Sequence, residues 1–156
     1  MRSPSRVPPW AIYTTWVLSL VGLALVTYLT IGHYESKTFL ACPDTGLINC
    51  EKVTNSAQSY FLGIPVAVLG LANFVVLAAL NSPWMWRVQR YWMHVLRFTL
   101  VMISMAFVLW LFFAELFIIN NICLYCTGVH LVTFALFVVL VRVGPEQLGW
   151  TGRSAT

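Results

Sequence analysis

The sequence predicts an all-α integral membrane protein, a bundle of four transmembrane helices in a single domain over residues 1–156. Its 156 residues are 60% hydrophobic and 9% charged, whereas soluble domains carry about 25% charged residues. So few charges cannot cover a soluble surface, and the high hydrophobicity excludes intrinsic disorder. Charged residues are also absent from four long stretches: residues 7–34, 53–86, 98–114 and 116–141. A membrane-spanning helix needs about 20 apolar residues, so each stretch indicates one helix.

The first two helices are expected near residues 11–31 and 61–80. The first follows the helix-breaking pair Pro8-Pro9. Its apolar segment exceeds the roughly 7–15 residues of a signal peptide, so we expect a retained anchor. The second helix tolerates Pro65 in its first turn and ends at the turn-like residues 81–83.

The last two helices are expected near residues 94–119 and 123–141. Asn120-Asn121 and a neighbour or two separate them, which predicts a tight hairpin. Residues 143–156 are expected to form a disordered cytoplasmic tail. Among the small residues of the second apolar stretch, three are expected to permit close helix packing: Gly63, Ala67 and Gly70.

Basic residues predict the orientation of this bundle. With four crossings, one side holds only Lys37 and Lys52, in an external loop over residues 32–60. The other side holds all the arginines: Arg2, Arg6, Arg87, Arg90, Arg97, Arg142 and Arg153. Because basic residues favour the cytoplasmic side, both termini should be cytoplasmic. An inner aromatic belt is expected from Trp10, Trp84, Trp86 and Trp92. The charges form no dense basic stripe, so nucleic acid is not an expected partner, whereas membrane lipid is.

The four cysteines, Cys42, Cys50, Cys123 and Cys126, all fall on the predicted external side. Disulfides persist in such a compartment, and four cysteines allow three pairings. A C-x-x-C at a helix N-terminus, as at Cys123, places both sulfurs on one face, where the helix dipole stabilises a thiolate. This pattern favours redox chemistry. The alternatives are purely structural disulfides or a four-thiolate zinc site, and we expect no metal.

The other pair, Cys42 and Cys50, lies in a loop containing Pro and Gly. Such a dithiol could reach both a soluble partner and the C-x-x-C, and exchange between them needs no metal. Apolar residues recur at helical spacing from Cys50 through Val53 and Ala57 to Tyr60. They indicate either a short amphipathic helix capping the bundle or a plain connecting loop.

Four sequence pieces in this order resemble the vitamin K epoxide reductase family in its bacterial form. They are a loop Cys42, C-E-K-V-T-N-S at residues 50–56, F-L-G-I-P at residues 61–65 and C-L-Y-C at residues 123–126. The resemblance runs from about residue 10 to residue 142.

The resemblance implies a helix bundle that encloses a quinone (menaquinone, ubiquinone or a related one). Electrons would come from an external thioredoxin-like or DsbA-like protein. Cys42 would exchange with that partner, Cys50 would pass electrons to Cys123, and Cys126 would face the quinone. The biological result would be disulfide formation in exported proteins, at a bacterial cytoplasmic membrane. Because nothing after residue 144 could form a thioredoxin-like domain, we expect the partner to be a separate protein.

Other residues receive roles from the same resemblance or from their place in the membrane. Ser56 matches a family serine that organises the loop. His130, four residues after Cys126, stands where many members place a tyrosine near a quinone oxygen; the alternative is a histidine packed against a neighbouring helix. Asn73 is expected to bond across helices rather than bind ligand. Glu115 is either hydrated near the helix end or takes part in proton uptake.

Two rival functions remain at this point. A DsbB-like enzyme also has four helices and four external cysteines, but its C-x-x-C comes before the widely spaced pair, the reverse of the order here. A membrane scaffold without catalysis would keep fixed disulfides at Cys42–Cys50 and Cys123–Cys126 and would have no use for a quinone.

Overall fold

Helices form most of the structure, a computed structural model that describes residues 7–35, 40–43, 45–88 and 90–148. The α-helices in this part of the chain are α1 Pro9–Tyr34, α2 Cys50–Thr54, α3 Val66–Leu80, α4 Pro83–Arg87, α5 Tyr91–Phe113 and α6 Leu124–Gln147. The shorter elements are a 3₁₀ turn Ala57–Ser59, the strands β1 Tyr60–Phe61 and β2 Ile64–Pro65, and a π-helical turn Ala114–Ile119.

Three of the helices are long and apolar enough to cross a membrane: Pro9–Tyr34, Tyr91–Ile119 and Leu124–Pro145. Large apolar side chains cover their outer faces, including Val17, Ile103, Leu109, Trp110, Leu131 and Phe134. Helices suit this environment because all their backbone hydrogen bonds are internal. The predicted class, an all-α multi-pass membrane protein, is confirmed; the fourth crossing stays a prediction.

The helix expected from residue 61 begins only at Val66. Residues 60–65 form an antiparallel hairpin instead, with Tyr60 opposite Pro65 and Phe61 opposite Ile64. The helical backbone conformation is disfavoured for a residue that precedes a proline, and Pro65 itself has no N–H to donate to a helix. Gly63 has φ +81° in the turn of this hairpin. The predicted role of Gly63 in helix packing is therefore wrong. The 15 residues of α3 span only about 22 Å at about 1.5 Å per residue.

The other helices differ from their predicted bounds mainly at their ends. Pro9 is the first residue of α1, where its missing N–H costs nothing. The third predicted crossing, which begins as α5, changes from α to π geometry at Ala114 and ends at Ile119. Asn120 follows it with a left-handed φ of 54°. Helix α6 continues to Gln147, so the predicted tail over residues 143–156 begins as helix. Residues 149–156 of that tail lie outside the described part.

Helix α1 packs against both α3 and α6, and α5 completes the bundle against α6. Gly22 of α1 lies directly against the Phe74 ring of α3, since an added Cβ would be only 2.0 Å from its Cε1. The predicted contact at Ala67 is also present, since Thr30 Oγ1 lies 3.2 Å from its carbonyl oxygen. At Gly70 a Cβ would meet α1 at an ordinary 3.5 Å. Gly22 is therefore the position at which this packing requires glycine.

Arg97 and Trp86 lie inside the protein, not at the membrane surface where the sequence placed them. Arg97 is 2% exposed, and its Cζ lies 3.7 Å from the centre of the Trp86 ring. Its Nη2 donates to the carbonyl of Leu80 at the C-terminal end of α3, and Nη1 lies 3.1 Å from Nδ1 of His94. A guanidinium is stabilised there by the helix dipole and the indole face. Trp86 is therefore not part of the aromatic belt that the sequence predicted.

Candidate functional site

Cys42 and Cys50 form a disulfide with their Cα atoms 6.0 Å apart. Cys50 is the first residue of α2 and is buried, whereas Cys42 is half-buried on the loop. Asn49 caps α2 by accepting the N–H of Lys52 at 2.8 Å, which fixes where Cys50 points. The more accessible sulfur is thus that of Cys42.

The expected amphipathic helix over residues 50–60 is present only as its first part. Helix α2 ends at Thr54, and only Cys50 and Val53 of the predicted apolar face are buried. Ser56 closes the turn after α2, because its Oγ donates to the Val53 carbonyl at 2.8 Å. Ala57 and Tyr60 are exposed. Ser56 does organise the loop as expected; its effect on activity stays a prediction.

Cys123 and Cys126 are free thiols at the start of α6. Cys123 is fully buried, and the backbone N–H of Cys126 donates to its sulfur at 3.3 Å. Hydrogen bonding from the Cys126 side chain, helped by this N–H, holds the pKa of Cys123 below its ordinary value, although burial opposes the shift. Since Cys42 and Cys50 are joined, the four-thiolate zinc alternative does not fit this arrangement.

A short backbone bridge connects the two segments that carry these cysteine pairs. Ile48 and Ile122 pair in parallel: the N–H of Asn49 donates to the Ile122 carbonyl at 3.1 Å, and the N–H of Ile122 donates to the Leu47 carbonyl at 2.8 Å. Asn121 Nδ2 adds a bond to the Gly46 carbonyl at 2.6 Å. Nothing in the sequence signalled this pairing.

The bridge brings the inner cysteines of the two pairs together. Cys50 follows the bridge on one segment and Cys123 follows it on the other. Both belong to a single buried cluster with Leu29 and Val53. Cys42 and Cys126, the other members of the two pairs, both pack against this cluster.

Two tyrosines hold the backbone beside Cys42. The hydroxyl of Tyr28 accepts the N–H of Ala41 at 3.1 Å, and the hydroxyl of Tyr125 donates to the carbonyl of Ala41 at 2.9 Å. Their ring centres are 4.8 Å apart. Tyr125 lies inside the C-x-x-C, so this motif also anchors the loop. The sequence reasoning missed this contact.

A cavity of about 420 Å³ lies among α1, α3, α5 and α6, beneath α2 and the hairpin. This size is typical of ligand sites, which are mostly apolar with a few polar groups. The lining is mainly aliphatic and aromatic, and its polar side chains include Ser56, Asn73, Ser104, Glu115, Cys126, His130 and Thr133. Cys123 is not among the lining residues.

The remaining predicted residues occupy this cavity wall. His130 is buried and its ring meets the edge of Phe112, while its Nδ1 has no partner among the described residues. His130 thus packs against a neighbouring helix, as one alternative predicted, and also lines the cavity; its contact with a quinone stays a prediction. Asn73 Nδ2 donates to Ser104 Oγ at 2.9 Å, so the predicted bond across helices is confirmed. Glu115 is only 3% exposed and lines the cavity, so it lies inside the protein and not on its outer surface.

The size and the lining of this cavity are compatible with a quinone. An apolar enclosure suits a ring with an isoprenoid tail, and the Nδ1 of His130 is a buried polar atom that a carbonyl oxygen could satisfy. Cys126 is the cysteine that lines the cavity. The residues that would hold the ring are therefore Cys126 and His130.

A sequence profile of the vitamin K epoxide reductase family matches residues 13–141, a range that contains all four cysteines and most of the three long helices.

Proposed function

The chain belongs to the vitamin K epoxide reductase family, and from this premise we propose that it is a thiol:quinone oxidoreductase. It oxidises a reduced thioredoxin-like or DsbA-like protein outside the membrane and delivers the electrons to a quinone. The resulting disulfides serve exported proteins of a bacterial cell. The observation that carries the proposal is the buried cluster that contains both Cys50 and Cys123, against which an accessible cysteine and a cavity-lining one both pack.

The first transfer occurs on the loop. A thiolate of the partner attacks Cys42, the more accessible sulfur, and Cys50 leaves as a thiol. The second partner thiol then releases the partner as a disulfide, and Cys42 becomes a thiol. Two electrons now reside on Cys42 and Cys50.

The second transfer crosses the cluster. When Cys123 and Cys126 form a disulfide, the Cys50 thiolate attacks Cys123 and Cys126 leaves. Cys42 then attacks Cys50, which restores the Cys42–Cys50 disulfide seen in the structure and leaves the α6 pair reduced. The dithiol of α6 returns to a disulfide as a quinone accepts two electrons and two protons. The structure thus has the thiol state that this last step requires.

The orientation belongs to the same proposal. We place α3 as a fourth, short crossing, so that both termini are cytoplasmic and the cysteines face outward. A cysteine introduced at Arg153 should then resist an impermeant thiol reagent in intact cells and react after lysis. Labelling in intact cells would reverse the orientation.

Quinone absorbance tests the enzyme directly. The purified protein with a reduced DsbA-like partner should reduce a quinone, and Cys126→Ala should abolish turnover. Leu131→Ala, a change on the lipid-facing side of the same helix, should have no effect. No turnover by the wild type would favour a scaffold stapled by disulfides. Equal turnover after Cys126→Ala would refute the proposed route of electrons through Cys126.

Trapping tests the order of the cysteines. Cys126→Ala should accumulate a Cys50–Cys123 mixed disulfide, because the cysteine that resolves it from the α6 side is missing. Mass spectrometry that finds Cys42 joined to Cys123 instead would show that the two loop cysteines have exchanged roles.

A further inference from the structure

We propose that Glu115 is a further catalytic group of this site, which carries the proton of the Cys123 thiol to the quinone in the cavity. The inference rests on the proposed function and adds a proton path to its electron path. It starts from the position of a carboxyl group that neither the cysteine chemistry nor the packing requires.

Glu115 is directed inward by the π-helical turn at the end of α5. Within that turn Ala114 and Glu115 are buried, whereas Leu116 and Phe117 are exposed. Such turns occur frequently at functional sites because they reorient side chains within a helix. Glu115 is 3% exposed, and no Lys or Arg is among the described residues that line the cavity. An acid kept in such a place is costly and indicates a function.

The two oxygens of Glu115 have different surroundings. The carboxylate interacts on one side with the backbone N–H of Cys123. The other oxygen, Oε2, is buried without a partner among the described residues. Because Glu115 also lines the cavity with Cys126 and His130, it contacts the reactive pair on one side and the ligand space on the other.

The number of protons that the reaction must transfer explains why an acid is needed at this position. Reducing a quinone with the α6 dithiol forms one S–S bond and must transfer two protons to the quinone oxygens. Cys126 lines the cavity, so its proton has a direct route. Cys123 is fully buried and does not line the cavity, so its proton has none. Glu115 is the acid that lies between Cys123 and the cavity.

The step balances without a further reactant. Glu115 takes the proton from the Cys123 sulfur, and that sulfur bonds to the sulfur of Cys126. The electron pair released by the dithiol passes to the quinone. One proton comes from Cys126 and the other from Glu115, which returns to its carboxylate form. The products are the Cys123–Cys126 disulfide and a quinol.

Glu115→Gln is the decisive variant, because glutamine keeps the shape of the side chain and an oxygen that can face the Cys123 N–H but cannot carry the proton. The reduced protein is mixed with a short-chain ubiquinone or menaquinone analogue, and the absorbance of a single turnover is followed. We expect the rate constant at saturating quinone to fall about 100-fold or more, as for loss of a general acid–base group. The half-saturating quinone concentration should stay within about threefold, since binding is not the affected step.

Two comparisons separate proton transfer from a structural role. Glu115→Asp keeps the acid on a shorter arm and should recover part of the lost rate. Glu35→Gln makes the same chemical change at an exposed acid near the end of α1 and should reduce quinone normally. Partner oxidation by the Cys42–Cys50 disulfide, measured without quinone, should be unchanged in every variant.

The outcomes distinguish this inference from the function on which it rests. No quinone reduction by the wild type overturns the proposed function itself. Normal wild-type turnover with a Glu115→Gln rate within about threefold of it overturns only the role of Glu115. A Glu115→Gln variant that also loses partner oxidation, or an Asp variant no faster than the Gln variant, shows a structural role and equally overturns the inference.

Discussion

Replacing Asn121 by alanine is expected to loosen the loop that carries Cys50 while leaving the helices intact. Asn121 is 4% exposed, and its Nδ2 donates to the Gly46 carbonyl at 2.6 Å, next to the bridge at Ile48 and Ile122. Alanine removes this hydrogen bond. Because Asn121 lies outside the membrane-crossing helices, the substitution leaves those helices unchanged. The opening of the bridge should therefore become easier.

The expected size follows from that single bond. An intramolecular hydrogen bond contributes about 0.5–1.5 kcal/mol net to stability. Gly46 is exposed, so water can bond to its carbonyl in the variant, and we take about 1 kcal/mol. With RT about 0.6 kcal/mol, the opening equilibrium of the bridge should increase about fivefold, and by no more than about tenfold.

Hydrogen exchange measures this opening at the amides that form the bridge. The N–H groups of Asn49 and Ile122 exchange with solvent only when the bridge opens, so both should exchange about fivefold faster in Asn121→Ala. The yield of the trapped Cys50–Cys123 disulfide should fall with the loosened contact. Asn73→Ala removes a hydrogen bond elsewhere in the bundle and should leave both amides unaffected.

Three results would each refute a part of this reasoning. Unchanged exchange at Asn49 and Ile122 would mean that the Asn121 side chain does not hold the bridge. Equally faster exchange throughout the helices would mean that the substitution destabilises the whole protein and not the loop. If the bridge loosens but the yield of the Cys50–Cys123 disulfide does not fall, then electron transfer does not depend on the bridge.

Two further predictions concern packing and thiol chemistry. Gly22→Ala should lower the unfolding temperature in detergent, because its Cβ would overlap the Phe74 ring and overpacking costs about 1–3 kcal/mol; Gly70→Ala, at ordinary contact distance, should not. Cys126→Ala should raise the pKa of Cys123, measured by thiolate absorbance, because it removes the main hydrogen bond that lowers it; Cys126→Ser should raise it less. Equal stability of the two glycine variants, or an unmoved Cys123 pKa, would contradict these expectations.

The sequence predicted what depends on hydrophobicity along the chain. Gaps between charges located α1, α5 and α6 to within a few residues at most ends, because a membrane selects for continuous apolar runs. Spacing and helix position also singled out the four cysteines, whose roles in catalysis stay a prediction. The expectation of a bond from Asn73 to another helix was also correct, since a lone amide in an apolar helix has few other partners.

The sequence did not predict one local backbone feature and two sets of contacts between residues distant along the chain. The hydrophobic pattern of residues 61–65 suits a helix start, and only local backbone preferences around Gly63 and Pro65 produce the hairpin. Arg97 was counted as a surface charge, yet the ring of Trp86 and the end of α3 provide it with a buried position. The bridge between Ile48 and Ile122 joins segments that share no periodicity or motif.

The backbone bridge gives one physical reason for two features of the site. Irregular backbone near a membrane needs hydrogen-bond partners, because lipid supplies none. Residues 46–49 and 121–122 supply partners to each other, and the same pairing places Cys50 and Cys123 in one buried cluster. Satisfying the backbone and aligning the two thiol pairs are therefore a single interaction. A substitution that opens the bridge should weaken electron transfer even where no cysteine has changed.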